Sequence, residues 1–361
     1  MEMGVDIINL EVMEHAYSII KECGTDSQHY LSFNDDNQYF FGSETYGAIS
    51  YTLAGKKVMS LGNPICKHED MEQFTSEYIN FCNKMGYKPI FNSVSSHMTE
   101  ILKKYDYNVI KYGEEAILKL QDYSLAGKHR AALRRNVNKV SKSGVTLWEY
   151  QPKVKRDSIL EDKIADLSEK WYAAKGFELG YTVGTLDFDK PYDRRYFITM
   201  DEKENLMTVL SFLPYEGGRG YCIDVMHRKL DAMTGIMDHA IFSAAMKLKE
   251  DGASKVSLGI APLAGIDAND PDINRAEKLL NAIFANMSYG YNFKNLHRFK
   301  KKFHPTIWEP RYLVYHNKIS LASLAVSITS TKQSSADFVL YARYKFFLIG
   351  YGLGLYRNKS K

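Results

Sequence analysis

An acidic residue on a predicted strand, followed closely by a histidine and an arginine, is the first set of side chains that could do acid–base chemistry. Asp224 lies in the stretch GYCIDVMHR (220–228). His227 and Arg228 follow it three and four residues later. A helix is predicted to begin near Thr234, and backbone N–H groups at a helix start can hold an anion or a developing oxyanion. The alternative is a structural carboxylate that pairs with Arg228 or caps a loop.

Two segments rich in lysine and arginine are candidate contacts for a polyanion such as RNA. The first is predicted to be a helix over residues 124–143, with Ser124 as its N-cap and Gly144 as its C-terminal stop. Cations one turn apart would follow a phosphate backbone without reading bases. The second, residues 294–303, interleaves cations with phenylalanines and includes Lys300. The alternatives are a solvated linker helix for the first segment and, for the second, an amphipathic segment whose aromatic residues lie in the core.

Two shorter segments could approach a substrate directly. The stretch LGIAPLAG (258–265) places Gly259 and Pro262 at a predicted strand end, where small residues allow a ligand close to the backbone. The stretch YGEEA (112–116) places Glu115 at a strand start, where a carboxylate could hold an ammonium group. An ordinary turn is the alternative for each.

The elements that must position these residues alternate between helix and strand. Hydrophobic periodicity predicts the order α-β-β-α-β-α-β over residues 1–123, which is typical of a mixed α/β domain. After the basic helix 124–143, a similar order returns over residues 144–318, including a helix over 273–286. Residues 319–361 form a basic and aromatic tail. We therefore predict a duplicated α/β architecture.

Composition places the chain among ordinary globular proteins. The 361 residues are 45% hydrophobic and 25% charged, which excludes wholesale disorder. The net charge of +4 is too small to identify a nucleic-acid binder. The four cysteines are scattered, so we expect reduced thiols rather than a metal site or disulfides. No signal peptide and no apolar run of about 18 residues is present in the sequence.

Taken together, these segments resemble the C-terminal catalytic domain of the bacterial phosphatidylglycerol lysyltransferases, the multiple peptide resistance factors. The resemblance covers about residues 12–325 and rests on the order of seven motifs: GNP at 62–64, GEEA at 113–116, KHRAALR at 128–134, DVMHR at 224–228, TGIMD at 234–238, LGIAPLAG at 258–265 and FKNLHRFKKKF…WEPRYLVY at 293–315. It implies two GNAT-like (acyl-CoA N-acyltransferase-like) domains with mixed sheets, similar to the Fem peptidoglycan-bridge enzymes.

The resemblance implies transfer of an amino acid, lysine or a similar one, from aminoacyl-tRNA to phosphatidylglycerol by transesterification. It implies no metal and no cofactor, with aminoacyl-tRNA as a co-substrate. The expected partners are aminoacyl-tRNA and an anionic phospholipid surface, and the expected location is the cytoplasm, peripheral on the inner face of the cell membrane. Full-length members carry an N-terminal membrane module that this sequence does not include, so we expect a stand-alone soluble relative or an excised domain.

The resemblance also implies roles for individual residues. It assigns Asp224 to the ammonium group of the aminoacyl moiety, within a catalytic set of Asp224, His227 and Arg228. The family's Asp-x-x-Arg pattern is altered here, so either Arg228 supplies the guanidinium or His227 acts differently, for example as a general base. The expected substrate-binding residues are Glu115, Asp238, Gly259, Pro262, Lys300, Glu309 and Arg311. The expected tRNA contacts are Lys128, Arg130, Arg134, Arg135 and Lys139.

Two other functions fit the same residues. A GNAT-type acyl-coenzyme A acyltransferase is one, although only Gly235 matches the phosphate-binding loop of that class. A non-catalytic module that binds tRNA or anionic membranes is the other. The tail, with Phe338, Tyr341 and Arg343 among its residues, is predicted to be either a membrane-surface element or a packing helix. The transferase hypothesis predicts that Asp224, His227, Glu115 and Arg311 line one tunnel that is open at both ends.

Overall fold

A mixed sheet with helices on both faces forms the framework of the described part of the chain. The computed structural model describes residues 2–31, 33, 37–175, 186–266, 278, 293–321, 323, 324 and 327. The helices are α1 (Glu2–Cys23), α2 (Met71–Met85), α3 (Ser96–Lys103), α4 (Ala131–Ser141), α5 (Ser158–Lys175), α6 (Ile236–Glu250) and α7 (Phe293–Lys301). Short 3-10 turns cover His68–Asp70 and Glu216–Gly218.

The strands of this sheet come from the whole length of the chain. They are β1 (Gln38–Phe41), β2 (Gly47–Ala54), β3 (Lys57–Leu61), β4 (Ile65–Cys66), β5 (Lys88–Val94), β6 (Tyr107–Lys119), β7 (Thr146–Tyr150), β8 (Arg195–Met200), β9 (Leu206–Tyr215), β10 (Gly220–Arg228), β11 (Lys255–Pro262) and β12 (Ile307–His316). Their order is β1-β2-β3-β5-β12-β6-β11-β10-β9-β8-β7, and β4 pairs with β2.

The two sequence halves exchange strands at the centre of the sheet. Strand β12, from the end of the second half, lies between β5 and β6 of the first half, and β6 pairs with β11 of the second half. One sheet therefore contains strands from both sides of the predicted domain boundary at residue 123. The division into domains 1–123 and 144–318 stays a prediction, and β12 is the element that joins the two segments most directly.

Local sequence explains where the helices begin and end. In α2 the buried residues Phe74, Tyr78 and Cys82 recur at helical spacing, and the helix stops at Gly86, whose φ of 69° favours glycine. In α3 the Ser95 side chain accepts the N–H of Met98, as an N-cap does. Both boundaries follow from the residue types alone.

Alternation along β9 shows which helices lie on which face. Leu210 and Phe212 pack in the cluster that contains α4 and α6, whereas Val209 packs with α5 and Leu213 packs with α1. Because successive strand side chains point to opposite faces, α4 and α6 cover one face of this half and α1 and α5 cover the other. The latter is called the α1/α5 face below.

The prediction that the basic helix begins at Ser124 is wrong. The helix α4 begins at Ala131, with Arg130 at the N-cap position. Gly127 has a φ of 95°, which a continuing right-handed helix does not allow, so the chain turns there. Arg134 then donates to the carbonyl oxygens of Leu125 at 2.6 Å and Gly127 at 3.0 Å.

The last strand is longer than the sequence predicts. It runs over Ile307–His316 instead of Tyr312–Tyr315. The predicted helix 273–286 lies outside the described residues except for residue 278, and the tail beyond 327 lies outside them entirely.

All four cysteines are free and buried. Within the described ranges, no helix is both long and apolar enough to span a membrane, and no group of three His, Cys, Asp or Glu residues is arranged to hold a metal ion.

Candidate active site

A gap opens between the parallel strands β10 and β11 where their pairing stops. The strands pair through only three residues each, and the last pair is Cys222 with Ser257. Strand β11 then shifts its register against β6 between Ser257 and Ile260. Gly259 lies inside this irregularity with a φ of 77°, and its N–H donates to the Ser257 hydroxyl at 3.0 Å. A bulge of this kind turns the strand and leaves its backbone accessible to a neighbouring group.

A buried set of charges lies beside this gap on the α1/α5 face. The Arg311 guanidinium donates from Nε to Glu115 at 2.9 Å and from Nη1 to Asp26 at 2.7 Å. The Ser257 hydroxyl donates to the other oxygen of Glu115. Burial alone would raise the pKa of Asp26, but the Arg311 guanidinium holds that pKa below its usual value. Asp26 and Arg311 therefore form an ion pair in the protein interior, and Glu115 accepts from the same guanidinium.

Sequence reasoning missed the segment that carries Asp26. The ring of His29 lies beside it, with Nδ1 3.4 Å from the Asp26 backbone nitrogen and Nε2 3.1 Å from the carbonyl oxygen of Asn63. The Asn63 side chain in turn accepts the backbone N–H of Ser95 at 3.0 Å. Asn63 belongs to the GNP motif, so that motif holds this segment over the site. The run of polar residues after α1 was the available signal, although polar runs usually mark exposed loops.

Lys300 reaches the gap from helix α7. Its neighbour Phe299 packs against the α4/α6 cluster, and the Lys300 Nζ donates to the carbonyl oxygen of Ile260 at 2.7 Å. A Cβ atom placed on Gly259 would lie 3.2 Å from this Nζ. Burial lowers the pKa of Lys300 to about 8, with Cys222 and Glu115 acting in the opposite direction. The side chain therefore changes charge close to neutral pH.

Two further carboxylates interact with the groups described above. Glu309 pairs across β6 and β12 with Glu115, is 41% exposed at its side chain, and lies 4.0 Å from the Arg311 guanidinium. Burial raises the pKa of Glu309, and this outweighs the opposing effect of Arg311. Asp224 sits in a bulge of β10 against β9 and accepts the Ser211 hydroxyl at 3.3 Å. Burial and then Glu115 raise the pKa of the Cys222 thiol, and Asp224 adds to the shift, so the thiol interacts with both carboxylates.

The chain is similar to known proteins over most of its length. Residues 17–315 match the family described as "Phosphatidylglycerol lysyltransferase, C-terminal". The chain belongs to this family. The phosphatidylglycerol lysyltransferase of Bacillus subtilis (strain 168) is 26% identical over 322 residues, which are 88% of this chain and 36% of that protein. The chain thus spans about a third of the length of this curated relative.

Solved structures show the same fold. "The structure of L-PGS from Bacillus licheniformis" matches with a TM-score of 0.76 at 24% identity, covering 89% of this chain and 97% of that one. FemX matches with a TM-score of 0.54 at 9% identity, covering 84% of this chain and 95% of that one. The prediction of an α/β fold with a mixed sheet and a likeness to the Fem enzymes is confirmed, whereas the division into two GNAT-like domains stays a prediction.

Within this family fold, His227 and Arg228 lie away from the gap. His227 hydrogen-bonds through Nδ1 to Ser168 of α5 at 2.9 Å, and burial lowers the pKa of His227 to about 4. The Arg228 guanidinium lies over the Trp171 ring at 5.6 Å and donates to two carbonyl oxygens of its own loop. Both side chains are thus occupied by α5 or by the following loop.

The prediction of one open tunnel is wrong for two of its four residues. Glu115 and Arg311 have no appreciable solvent exposure, and each is bonded to the other. Opposite charges buried this deeply are stable only as a pair. The Arg311–Glu115 pair therefore forms a wall in the interior and does not line an open tunnel. Asp224 lies close to this wall, whereas His227 lies farther along β10.

Two other predicted substrate contacts have structural partners. Asp238 is buried at the start of α6, where it accepts the Asn136 amide at 2.7 Å and pairs with Lys302. It therefore ties α4, α6 and the end of α7 together. Pro262 lies opposite Gly113 at the end of β11, and a Cβ on Gly113 would come within 3.0 Å of Pro262 Cα. This contact explains why the GEEA motif begins with glycine.

The two predicted basic segments meet at one surface. The rings of His129 and His304 lie 5.0 Å apart. Burial lowers the pKa of His304, and the nearby positive charges of Arg130 and Lys301 lower it further. We call this group, with Lys128, the basic surface. The two segments therefore form one candidate polyanion contact, whereas the sequence suggested two.

The five predicted tRNA contacts divide into two kinds. Lys128, Arg135 and Lys139 are exposed. Arg130 donates to the Ser124 carbonyl at 3.0 Å, and Arg134 donates to the loop before α4. The two engaged arginines shape the loop, and the three exposed cations are available to a ligand.

Proposed function

We propose that the chain transfers an amino acid from aminoacyl-tRNA to a glycerol hydroxyl of phosphatidylglycerol, at the inner face of the cell membrane. The observation that carries this proposal is the separation of β10 and β11 beside Gly259, which the Lys300 amine reaches, in a chain of this family. The names of the relatives support phosphatidylglycerol as the acceptor.

The proposed reaction exchanges one ester for another. The lipid hydroxyl oxygen attacks the carbonyl carbon of the aminoacyl ester, the bond from that carbon to the tRNA ribose oxygen breaks, and the ribose oxygen takes the proton. Nothing is oxidised or reduced, so this proposal requires neither a metal nor a redox cofactor. The protein must align the two substrates, move one proton and stabilise an oxyanion.

The side chains at the gap match these tasks. Lys300, with a pKa of about 8, is mostly protonated at pH 7, so its ammonium group can stabilise the oxyanion. Glu309 has a raised pKa and a half-exposed carboxyl, which suits a group that accepts and returns a proton. Asp224 would hold the ammonium group of the amino acid. His227, with a pKa of about 4 and a partner in α5, is a poorer general base than Glu309.

The donor tRNA would bind the basic surface and the exposed cations of α4. Phosphate contacts of this kind release counterions, so affinity falls as salt rises. We expect the triple variant Lys128→Ala, Arg135→Ala, Lys139→Ala to bind tRNA more weakly and with a shallower salt dependence. The slope should fall by about one unit for each phosphate that the variant no longer neutralises.

The test is an incubation of the full chain with charged tRNA and phosphatidylglycerol vesicles. Separate reactions with Lys-, Ala- and Arg-tRNA should yield a base-labile aminoacyl lipid from at least one donor. Uncharged tRNA and phosphatidylcholine vesicles are the negative controls, and Lys300→Met is compared with Lys84→Met, which changes an exposed lysine in the last turn of α2. Absence of product with all three donors overturns the proposal.

Two further measurements separate this proposal from the other predicted functions. A thermal shift with acetyl-coenzyme A would favour an acyl-coenzyme A donor. Equal transfer activity of Asp224→Ala and the parent chain would remove Asp224 from the catalytic set. Binding of tRNA and vesicles without any product would favour the non-catalytic module.

A further inference from the structure

We infer that one corner of the molecule docks on an anionic phospholipid surface and passes a phosphate head group to the cavity beside it. The corner comprises strand β7, the turn 151–157 and the first turn of α5, and we call it the β7–α5 corner. The inference rests on the proposed function only for the identity of the acceptor lipid. The docking itself is argued from exposure, charge and an unsatisfied guanidinium.

The β7–α5 corner carries three exposed apolar side chains within twelve residues. Val154 is 79% exposed, Ile159 is 69% exposed and Trp148 is 59% exposed. Exposed apolar residues are usually scattered singly over a protein surface, so a group on one edge strand and its following turn marks a contact surface. Tryptophan is enriched at the boundary between lipid and water, where its ring sits at head-group level.

Cations surround these apolar side chains. Lys153, Lys155 and Arg156 are exposed in the same turn. Among the residues that the structure describes, Lys155 has no carboxylate partner. Of the nearby acids, Asp157 accepts the Leu160 N–H at 3.0 Å, and Glu161 and Asp189 pair with Arg156. Apolar tips flanked by cations are complementary to a membrane with anionic head groups and not to a neutral one.

A cavity of about 730 Å³ opens directly beside the corner, and Lys153 and Val154 form part of its wall. Arg194 lines it as well, with its guanidinium 5.3 Å above the Tyr30 ring. Within the described part of the chain, the buried Arg194 Nε has no hydrogen-bond partner, and its Nη1 reaches only the Lys190 carbonyl at 3.4 Å. A buried guanidinium nitrogen without an acceptor favours a ligand that brings one.

The acids in the cavity wall do not supply that acceptor. Asp193 lies between Lys21 at 3.7 Å and Lys153 at 3.5 Å, and Asp251 pairs with Arg195 at 2.6 Å. The guanidinium of Arg194 thus faces a positively charged cavity. Phosphate is the group that a planar guanidinium recognises best through paired N–H donors, so a phosphate ester is the ligand class that this cavity fits.

One residue of the cavity wall, Tyr215, also interacts with a residue of the candidate active site. Tyr215 lines the cavity, and its ring borders Gly220 at the start of β10. Its buried hydroxyl has no partner among the described residues. Burial and then the Glu115 carboxylate raise the pKa of the Tyr215 hydroxyl. Tyr215 therefore borders the cavity and also interacts electrostatically with Glu115 of the buried charge network.

The experiment is vesicle co-sedimentation of the full chain without tRNA. We expect binding to phosphatidylglycerol vesicles and not to phosphatidylcholine vesicles. The double variant Val154→Asp, Ile159→Asp should lower the partition coefficient at least tenfold, and Arg194→Gln should lower it about fivefold, as expected for one cation near an anionic surface. The matched control is Leu53→Asp, which changes an exposed apolar residue on the β2–β3 hairpin and should leave binding unchanged.

Each other outcome overturns the inference in a definite way. Equal sedimentation of the double variant and the parent chain excludes the β7–α5 corner as the membrane contact. Stabilisation by glycerol 3-phosphate that requires Arg194, with unaltered vesicle binding in all variants, would indicate a site for a free phosphate ester. Loss of tRNA binding in the double variant, with vesicle binding intact, would indicate a nucleic-acid surface. Because no tRNA is needed, vesicle binding without amino-acid transfer refutes the proposed function alone.

Discussion

The two parallel strand pairs of the sheet, β3–β5 and β10–β11, occupy similar places in the two halves but are built differently. Strands β3 and β5 pair over five residues, and the N–H of Gly62 extends the contact to the Asn92 carbonyl at 2.8 Å. Strands β10 and β11 pair over three residues and then separate. The first pair closes as a core element, whereas the second opens at the site where the charged side chains collect.

The side chains account for the difference. Met59 and Ile90 face each other in the closed pair and pack in one apolar cluster. The last pair of the open strands is Cys222 with Ser257, and Ser257 is bonded to Glu115. A polar lining must satisfy its hydrogen bonds and cannot collapse into apolar contact, so the same topology yields a core in one half and a gap in the other. The lining residues, and not the strand order, therefore decide which half carries the site.

The largest expected effect comes from breaking the charge network that joins the halves. Arg311→Met leaves two buried carboxylates without their cation and should reduce the free energy of unfolding by about 3–5 kcal/mol. Urea denaturation of Arg311→Met and of Arg156→Met measures this. The Arg156 pair with Glu161 is partly exposed, so its loss should change the free energy of unfolding much less than the loss of Arg311 does.

The same variant should reverse the dependence of stability on pH. In the parent chain the pKa of Asp26 is lowered in the folded state, so its contribution is present above the unfolded pKa of about 3.9 and disappears as the pH falls through the folded value. Without Arg311 the buried carboxyls are more stable when protonated. Stability of Arg311→Met should therefore rise as the pH falls from 7 to 5, and a fall in that range would contradict the network.

The closed pair can be tested by removing its packing. Met59→Ala should reduce the free energy of unfolding by about 3 kcal/mol, because a buried side chain is removed from a filled cluster. Amino-acid transfer by the folded variant should be unchanged within about twofold, since β3–β5 holds no site residue. A loss of transfer without a loss of stability would mean that the closed pair also takes part in the reaction.

Lys300 gives the open pair a dependence of stability on pH in the alkaline range. Its folded pKa of about 8 lies below the unfolded value of about 10.4, so the unfolded chain binds more protons between these values and stability rises with pH. The parent chain should gain about 2 kcal/mol between pH 8 and pH 10 from this group, and Lys300→Met should lose that gain. Lys301→Met is the neighbouring control, and an identical pH slope in both variants would refute the assignment.

Two glycine substitutions, one in each half, should change stability least but should differ clearly in their effect on transfer activity. Gly259→Ala and Gly55→Ala each place a side chain at a positive φ, so each should cost about 1–2 kcal/mol. Only the first brings a Cβ to 3.2 Å from the Lys300 amine, whereas Gly55 has open space. We expect transfer activity to fall about tenfold or more in Gly259→Ala, as a small displacement of a reacting group can cause, and to stay unchanged in Gly55→Ala. Equal activities would mean that the gap tolerates a methyl group.

Local patterns were sufficient for much of the fold and for some of the site. Helical spacing located α2 and α6, and the resemblance of segment 293–315 to the family pointed to Lys300, Glu309 and Arg311. The start of α4 was misplaced because Ser124 resembles an N-cap, while the turn at Gly127 depends on arginines that bind carbonyl groups several residues away. A capping residue can be recognised from sequence only when nothing distant competes with it.

The residues missed by sequence reasoning share a cause. Asp26 and Ser257 have side chains that are unremarkable in their own segments, and their importance comes from Arg311 and Glu115, which lie far away in the chain. The altered order of His227 and Arg228 shows the same limit. The sequence left their roles open, and the bulge in β10 directs His227 toward α5.

Residue periodicity and motifs within short windows were enough to establish the α/β class, the alternation of elements and the family. The folded chain was needed to show that β12 enters the first half, that two basic segments form one surface, and that Glu115 and Arg311 are a wall and not an opening. Pairing between distant strands has no local signature, since any two strands of suitable pattern satisfy each other's hydrogen bonds. The choice among them is made by packing of the whole chain.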